Sequence, residues 1–184
     1  MLTRQAFWFL RHGETDWNAR NLSQGNVDIP LNPLGQAQAK IAANLLRSRG
    51  IRTIVSSPLS RAHDTALAAA EVVGHPVLLD DDLKEVAFGE QEGQPMGDWY
   101  DDWIAGNYTP AQGETFANLR ARAVAAINRA LEREAVVLVV AHGALFRAIR
   151  SAMALEPNIR TPNAVPLFCE PGSNGAPWTL TPAQ

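Results

Sequence analysis

Two histidines in this sequence stand directly after apolar runs, and each is followed by a glycine. His12 comes after the run 6–10 and Arg11, and His142 comes after the β-branched run 135–141. Continuous apolar runs of this length are typical of buried strands in a parallel sheet. Because ligands bind beyond the carboxyl ends of such strands, the sequence predicts that both imidazoles face one crevice.

Two more reactive side chains follow short apolar runs in the same way. Arg61 comes after the run 53–55, at the start of an alanine-rich segment, and Glu85 lies a few residues beyond the run 77–79. An arginine at a helix start is unusual, because the amide end of the helix dipole is already positive. It is explained if the arginine and the helix end share an anion, and the alternative for Arg61 alone is a solvent-exposed arginine. Because both residues follow predicted strands, we expect Arg61 and Glu85 at the same crevice as the two histidines.

This set of side chains favours a phosphate group as the ligand, even though the chain has a net charge of −3. The planar guanidinium group of arginine binds phosphate oxygens in pairs, and a neutral imidazole is a nucleophile near pH 7. The predicted chemistry is phosphoryl transfer through a phosphohistidine, in which cations offset charge on the equatorial oxygens. A neutral Glu85 would donate a proton to the leaving oxygen.

A metal site is the alternative interpretation of this region. The imidazole and carboxylate groups that a divalent ion could use belong to His12, Glu14, Asp16 and His142. Arg11 and Arg61 would crowd such an ion with positive charge. We therefore expect catalysis without a metal or another cofactor.

The elements that position these residues alternate between strands and helices. Helical spacing of apolar residues predicts helices over 34–49, 59–73, 115–133 and 144–154. Ser57 or Ser60 is the expected N-cap of the second helix, and the segment 16–33 is predicted to be a long loop. Two further apolar runs, 164–169 and 178–181, predict a terminal hairpin. The pattern indicates a three-layer α/β/α fold with a mixed, mostly parallel central sheet, in a single domain over 1–184.

Composition narrows the class of protein further. The chain has 184 residues, of which 46% are hydrophobic, and its single cysteine, Cys169, cannot form an internal disulfide. This cysteine usage fits a reducing compartment, and we find no signal peptide or transmembrane segment. The expected localisation is cytoplasmic. The weak negative charge predicts no binding to nucleic acid or to an anionic membrane.

The ordered motifs of the chain resemble the histidine phosphatase superfamily, which contains acid-type phosphatases and phosphoglycerate mutases. The resemblance covers most of the chain. The matching residues are Arg11-His12-Gly13-Glu14-Thr15, Trp17-Asn18, Gln24-Gly25, Asp28, Pro30-Leu31, Gly35, Gln38-Ala39, Ser56-Ser57-Pro58-Leu59-Ser60-Arg61-Ala62, Thr65-Ala66, Leu83, Glu85, Phe88-Gly89, Glu92-Gly93, Gly113-Glu114-Thr115 and Val140-Ala141-His142-Gly143.

The resemblance implies a role for each site residue. His12 would be the phosphorylated nucleophile, and Glu85 would be the proton donor and later the base. The phosphate pocket that it implies contains Arg11, Arg61 and His142. The implied substrate contacts are Asn18, Gln24, Gly25 and Gly143.

The family includes both mutases and phosphatases, and these must be separated. Mutases carry a longer insertion between the acid and the Gly-Glu-Ser/Thr segment, whereas here only a short span separates Glu85 from Gly113. We therefore expect a metal-independent phosphomonoesterase that acts on a small phosphate monoester. A cofactor-dependent phosphoglycerate mutase and a non-catalytic member that binds a phosphorylated ligand are the alternatives. The sequence leaves a monomer or a homodimer undecided.

The segment of about 90–113 is expected to form a lid over the pocket. Between residues 86 and 119 the chain has no lysine or arginine, but it has several acidic and aromatic residues. If the acids face the substrate, they would repel a leaving group that carries carboxylates or further phosphates. This hypothesis predicts a neutral, cationic or aromatic leaving group. The alternative is that the aromatic side chains only pack the lid onto the core.

Overall fold

Six strands form one mixed sheet at the centre of the protein. The computed structural model describes residues 1–184. The strands are β1 (Phe7–Arg11), β2 (Thr53–Ser56), β3 (Val77–Leu79), β4 (Val137–Ala141), β5 (Leu167–Glu170) and β6 (Thr179–Pro182). Their order across the sheet is β3-β2-β4-β1-β5-β6, in which the first four strands are parallel and the last two are antiparallel to their neighbours. The predicted mixed, mostly parallel sheet and the terminal hairpin are confirmed.

Six α-helices connect and cover the strands. They are α1 (Asp16–Ala19), α2 (Pro33–Leu46), α3 (Ser60–Val73), α4 (Trp99–Ala105), α5 (Phe116–Leu131) and α6 (Gly143–Ala152). Three short 3₁₀ turns, Asp81–Leu83, Gly89–Gln91 and Ser173–Gly175, lie in the connections. None of the helices has the length and apolar character needed to cross a membrane.

The alternation of side chains along the strands builds one apolar core on each face of the sheet. In β1, Phe7 and Phe9 join the core under α5 and α6, where the ring of Phe9 stacks on Phe146 with centroids 4.0 Å apart. Trp8 and Leu10 point to the opposite face and pack with residues of α2 and α3. These two cores confirm the three-layer α/β/α architecture.

The register between β1 and β4 brings the two histidines together. Arg11 lies opposite Ala141, and the amide of His12 donates to the carbonyl of Ala141 at 3.1 Å. Each histidine therefore leaves the sheet at the same level on adjacent parallel strands. The geometry that the two apolar runs predicted follows directly from this pairing.

Three local expectations were wrong. Helix α2 ends at Leu46 rather than 49, and the first residues of the predicted loop form the short helix α1. The N-cap of α3 is Leu59, with no side-chain hydrogen bond. Ser60 is instead the first helical residue, and its amide and hydroxyl groups both donate to Asp28, at 2.7 and 2.8 Å. A partner from a distant loop thus replaces the local cap. Local sequence patterns do not predict such a long-range partner.

Candidate active site

A pocket of about 290 Å³ opens at the carboxyl ends of the parallel strands. Seven of the nine predicted site residues line it, namely Arg11, His12, Asn18, Gln24, Gly25, Glu85 and Gly143. The other two, Arg61 and His142, are fully buried behind its wall. The ring centroid of His142 lies 5.3 Å from that of His12. The structure therefore brings all nine predicted residues to one place.

One hydrogen bond fixes the tautomer of His12. Its Nδ1 atom lies 2.6 Å from the carbonyl oxygen of Gly13. Because a carbonyl oxygen only accepts, Nδ1 carries the hydrogen, and Nε2 of the neutral ring keeps its lone pair. Burial holds the pKa of His12 well below its usual value, and the neighbouring Arg61 and Arg11 lower it further. His12 is therefore neutral at pH 7 with Nε2 free.

Gly13 is required at this turn because another backbone segment passes close to it. A Cβ atom at Gly13 would lie 2.3 Å from the carbonyl oxygen of Gly35 in α2. Any side chain at this position would push α2 away from the end of β1. The sequence suggested a sharp turn, and the structure identifies close packing as the reason for the glycine.

His142 is buried more completely than His12 and has a different partner. Its Nε2 atom lies 2.7 Å from the hydroxyl oxygen of Ser57, and its Nδ1 atom has no partner. Burial lowers the pKa of His142 well below its usual value, and the charge of Arg61 adds to this effect. Ser57, which the sequence suggested as a helix cap, positions this imidazole, and its hydroxyl oxygen also accepts from the amide of Leu59 at 3.2 Å.

Arg11 and Gly143 approach each other closely. The Nη1 atom of Arg11 donates to the carbonyl oxygen of Thr161 at 2.6 Å, and its buried Nε has no partner. A Cβ atom on Gly143 would lie 3.2 Å from that Nε, so the glycine leaves space for the guanidinium group. Burial lowers the pKa of Arg11 to about 10, opposed by the charge of Glu85. Arg11 therefore remains charged at pH 7.

Arg61 is tied to the loop that carries Gly25. Its Nη1 and Nη2 atoms donate to the carbonyl oxygens of Val27 and Gly25, at 2.7 and 2.8 Å. Burial lowers the pKa of Arg61 to about 10, and the charges of Glu85 and Asp28 oppose that shift. Gly25 thus supports the site through its carbonyl oxygen. Its φ of 54° also places it in the left-handed region, where glycine is favoured.

Glu85 lies against the N-terminus of α6. Its Oε2 atom accepts from the amide of Ala144 at 2.9 Å, and Oε1 accepts from the amides of Leu145 and Val86, at 2.9 and 3.0 Å. Amide groups at a helix N-terminus lack partners within the helix and favour a carboxylate. The fold therefore holds this carboxyl group in one orientation at the pocket wall.

The polar amides of Asn18 and Gln24 are oriented by Thr15. Thr15 is the N-cap of α1, and its amide donates to Oδ1 of Asn18 at 3.2 Å. Its hydroxyl donates to Oε1 of Gln24 at 2.6 Å. With both carbonyl oxygens occupied, the NH₂ groups of Asn18 and Gln24 are available to an acceptor in the pocket that both residues line.

Ten lining residues lay outside the sequence prediction. They are Asn21, Leu22, Ser23, Phe88, Met96, Tyr100, Ala144, Arg147, Arg160 and Thr161. Arg147 could have been found, because it lies four residues after Gly143 on a helix and therefore on the same face. Arg160 lies on an irregular segment after α6, and no periodic pattern in the sequence places it.

The hypothesis that acidic lid residues face the substrate was wrong. Glu90 accepts from the amide of Ala111, and Glu92 accepts from the amide of Phe88. Glu85 is the only acidic residue that lines the pocket. The aromatic residues of the segment pack together, with Tyr100 and Trp103 in the core beneath α5 and α6. Tyr100 also lines the pocket, so packing onto the core is not the only role of these aromatic residues.

The side chains of the alternative metal site do not form a ligand cluster. Nowhere in the chain do three or more histidine, cysteine, aspartate or glutamate side chains come together as metal ligands would. The carboxylate of Glu14 instead accepts from the side-chain amide of Asn32 at 3.0 Å.

Known proteins share both the sequence pattern and the fold. The chain is 38% identical over 150 residues to the uncharacterized phosphatase PhoE of Bacillus subtilis, which covers 78% of this chain and 75% of the relative. It is 35% identical over 157 residues to the probable phosphoglycerate mutase GpmB of Yersinia enterocolitica, with 79% and 73% covered.

A solved structure extends the similarity to nearly the whole chain. The mycobacterial glucosyl-3-phosphoglycerate phosphatase in complex with VO₃ matches with a TM-score of 0.82 and 29% identity, over 96% of this chain and 97% of that one. The family model described as histidine phosphatase superfamily (branch 1) matches residues 7–165. Since that match spans both histidine-bearing strands and the whole pocket, the chain belongs to the histidine phosphatase superfamily.

Proposed function

We propose that this protein is a phosphomonoesterase that hydrolyses a small phosphate ester through a phosphohistidine intermediate on His12. Glu85 would act first as general acid and then as general base. The observation that carries the proposal is the hydrogen bond from Nδ1 of His12 to Gly13, because it leaves Nε2 as an unprotonated nucleophile at the pocket. The pocket volume of about 290 Å³ suits a small substrate.

In the first step, Nε2 of His12 attacks phosphorus as the bond from phosphorus to the ester oxygen breaks. Glu85 enters this step protonated and gives its proton to the leaving oxygen. Oε2 is the better candidate for the proton, because it accepts one amide while Oε1 accepts two. The Gly13 carbonyl would stabilise the positive charge that the imidazole ring acquires.

In the second step, water attacks the phosphohistidine and Glu85 takes up its proton. The new oxygen–phosphorus bond forms as the bond from phosphorus to Nε2 breaks, and inorganic phosphate leaves. Arg11 at the pocket wall and Arg61 behind it supply positive charge near the transferred group. We propose that Asn18 and Gln24 donate to its oxygens, and that the segment 90–113 covers the pocket through Met96 and Tyr100.

The test is phosphate release by the purified protein from a panel of small monophosphates in the presence of a metal chelator. His12→Ala removes the nucleophile, and His75→Ala is the matched control because His75 lies in the turn before β3, away from the pocket. We expect release to survive chelation and to be lost only in His12→Ala. Loss of release on chelation, or full activity in His12→Ala, would overturn the mechanism.

Phosphoglycerate mutase is the second candidate, because one relative is named as a probable enzyme of that kind. The span from Glu85 to Gly113 is short, and it contributes three residues, Phe88, Met96 and Tyr100, to the pocket. A mutase must exclude water from its phosphohistidine and carries a longer insertion at this place. Because the span is short here, we place hydrolysis first. Interconversion of 2- and 3-phosphoglycerate without phosphate release would reverse the order.

A further inference from the structure

The segment 161–164, which lies between α6 and β5, is hydrogen-bonded to the end of β1. The carbonyl oxygen of Thr161 accepts from Nη1 of Arg11 at 2.6 Å, and the amide of Ala164 donates to the carbonyl oxygen of Arg11 at 2.9 Å. Ala164 has a φ of 51°, in the left-handed region that an alanine rarely adopts. This strained turn places the side chain of the preceding residue, Asn163, against the backbone of the proposed nucleophile.

The side-chain NH₂ group of Asn163 has two acceptors in the active site. Its Nδ2 atom donates to the carbonyl oxygen of His12 at 3.0 Å and to Oδ1 of Asn18 at 3.2 Å. No backbone amide donates to that carbonyl oxygen, because His12 lies beyond the last paired residue of β1. Asn163 is half-buried and does not line the pocket. It therefore joins the nucleophile to a proposed phosphate contact without reaching the substrate.

Two backbone groups determine which way these amide side chains point. The carbonyl oxygen of His12 only accepts, so the atom of Asn163 that faces it is the NH₂ nitrogen. The backbone amide of Thr15 only donates, at 3.2 Å, so the atom of Asn18 that faces it is the oxygen. Oδ1 of Asn18 thus lies between two donors. If this side chain were reversed, both hydrogen bonds would be lost and the oxygen would face the pocket.

We propose that Asn163 is a positioning residue, which holds Asn18 in the orientation that directs its NH₂ group at the phosphate. The inference deepens the proposed function, because it rests on Asn18 as a phosphate contact. Within Asn163 a single NH₂ group makes both hydrogen bonds, so the position of Asn18 is tied to that of the His12 backbone. The phosphate that Asn18 binds is thereby kept in register with the nucleophile.

Asn163→Asp tests this role, because it keeps the shape of the side chain but replaces the donor by an acceptor. The new carboxylate would repel Oδ1 of Asn18 and accept from its NH₂ group, which would turn the oxygen towards the phosphate. We expect the Kd for inorganic phosphate and the KM for a monophosphate to rise about tenfold or more, the usual effect of losing one charge-assisted hydrogen bond. The change in kcat should be smaller. A residue with a structural role alone would lower the folded fraction and leave the Kd and KM of the folded protein unchanged.

The same substitution in an Asn18→Ala background separates positioning from direct repulsion of phosphate. Asn18→Ala alone should also weaken phosphate binding about tenfold. If Asn163 acts through Asn18, adding Asn163→Asp should then cost no more than about twofold. Asn163→Ala introduces no charge and leaves Thr15 as the donor to Asn18, so a loss of about threefold is expected. This variant carries the test if Asn163→Asp does not fold.

Asn174→Asp is the matched control for the added charge. Asn174 is exposed and lies in the turn after β5, which runs antiparallel to β1, so it lies at the opposite edge of the sheet from the pocket. Its phosphate affinity and KM should equal those of the wild type. Isothermal titration with phosphate measures the Kd, and steady-state phosphate release measures KM and kcat.

The outcomes distinguish this inference from the proposed function. Unchanged Kd and KM in folded Asn163→Asp would overturn the positioning role while the phosphatase stands. The positioning role would also fall if the loss were as large in the Asn18→Ala background or in Asn174→Asp. If the wild type binds phosphate but hydrolyses no monophosphate, the proposed function fails, and a loss of affinity that depends on Asn18 still supports the positioning role. A folded wild type that neither binds phosphate nor releases it would overturn both.

Discussion

Arg122 binds both carboxylate oxygens of Glu114, through Nε at 2.7 Å and Nη2 at 2.8 Å. The same guanidinium group donates to the backbone carbonyl oxygens of Lys84 and Glu85, at 2.7 and 3.2 Å. Both side chains of the pair are about four-fifths buried, with exposed fractions of 21% and 18%. This pair therefore joins α5 and the segment before it to the backbone of the proposed general acid.

We expect Arg122→Gln to lower stability and catalysis together. Loss of the guanidinium leaves Glu114 and the carbonyl oxygens without their partner, and the free energy of unfolding should fall by about 2 kcal/mol. Because Glu85 would lose its backbone support, kcat should fall about tenfold or more with little change in KM. Urea unfolding and steady-state phosphate release measure the two effects.

Arg129→Gln is the matched control for that variant. Arg129 lies on the same helix and also pairs with acids near the Glu85 segment, Asp80 and Asp82, but its side chain is 47% exposed. Such exposed pairs contribute about 0 to 1 kcal/mol, so stability should change little and kcat should not change. If Arg122→Gln lost stability but kept the wild-type kcat and pH profile, its role would be structural only.

Gly143→Ala should impair catalysis without destabilising the fold. The new Cβ would lie 3.2 Å from Nε of Arg11 and would shift the guanidinium group from its place beside the proposed phosphate position. Alanine is preferred over glycine in helices by about 1 kcal/mol or less, so the start of α6 should be no less stable. We expect kcat/KM to fall about tenfold and competitive inhibition by inorganic phosphate to weaken. Unchanged inhibition by phosphate would show that Arg11 does not depend on this glycine.

Asp28→Asn should remove the long-range cap of α3. The carboxylate accepts from the amide and the hydroxyl of Ser60, and these hydrogen bonds lower the pKa of Asp28. We expect a loss of about 1 kcal/mol near pH 7, the usual effect of an N-cap. Because the pKa of Asp28 is lower in the folded state than in the unfolded state, this stabilisation is fully present above the pKa of the unfolded state. It is lost as the pH falls through the pKa of the folded state. Wild type and variant should therefore converge in urea unfolding as the pH falls below 3.8, the usual pKa of an aspartate, and a constant difference would exclude this carboxylate as its source.

The sequence was informative wherever one strand or one helix determined the position of a residue. His12 and His142 could be placed because a buried run leads into each of them, and adjacent parallel strands end at one edge. The direction of Glu90 and Glu92 could not be predicted, because loop acids turn towards backbone amides that only the folded chain supplies. Arg160 was missed for a similar reason, since its position depends on the contact between Thr161 and Arg11.

The two buried histidines should make stability depend on pH below about 6.5. Both have a folded-state pKa well below the usual value, chiefly because burial disfavours the charged ring. In the unfolded chain both protonate near pH 6.5, so the unfolded state binds more protons below that pH. Stability should therefore be nearly constant above about pH 7 and should decrease on acidification, by up to about 1.4 kcal/mol per pH unit for each histidine.

Urea unfolding between about pH 7.5 and pH 5.5, in buffers free of phosphate, measures this slope. The double variant His12→Gln, His142→Gln should lose the part of the slope that both rings supply, whatever its stability at neutral pH. His75→Gln, which replaces a histidine outside the pocket, is the control for the loss of an imidazole as such. Parallel curves for the wild type and the double variant would mean that neither ring is held neutral in the folded protein. The assignment of His12 as a neutral nucleophile would then fail together with this prediction, because both depend on the same buried, uncharged imidazole.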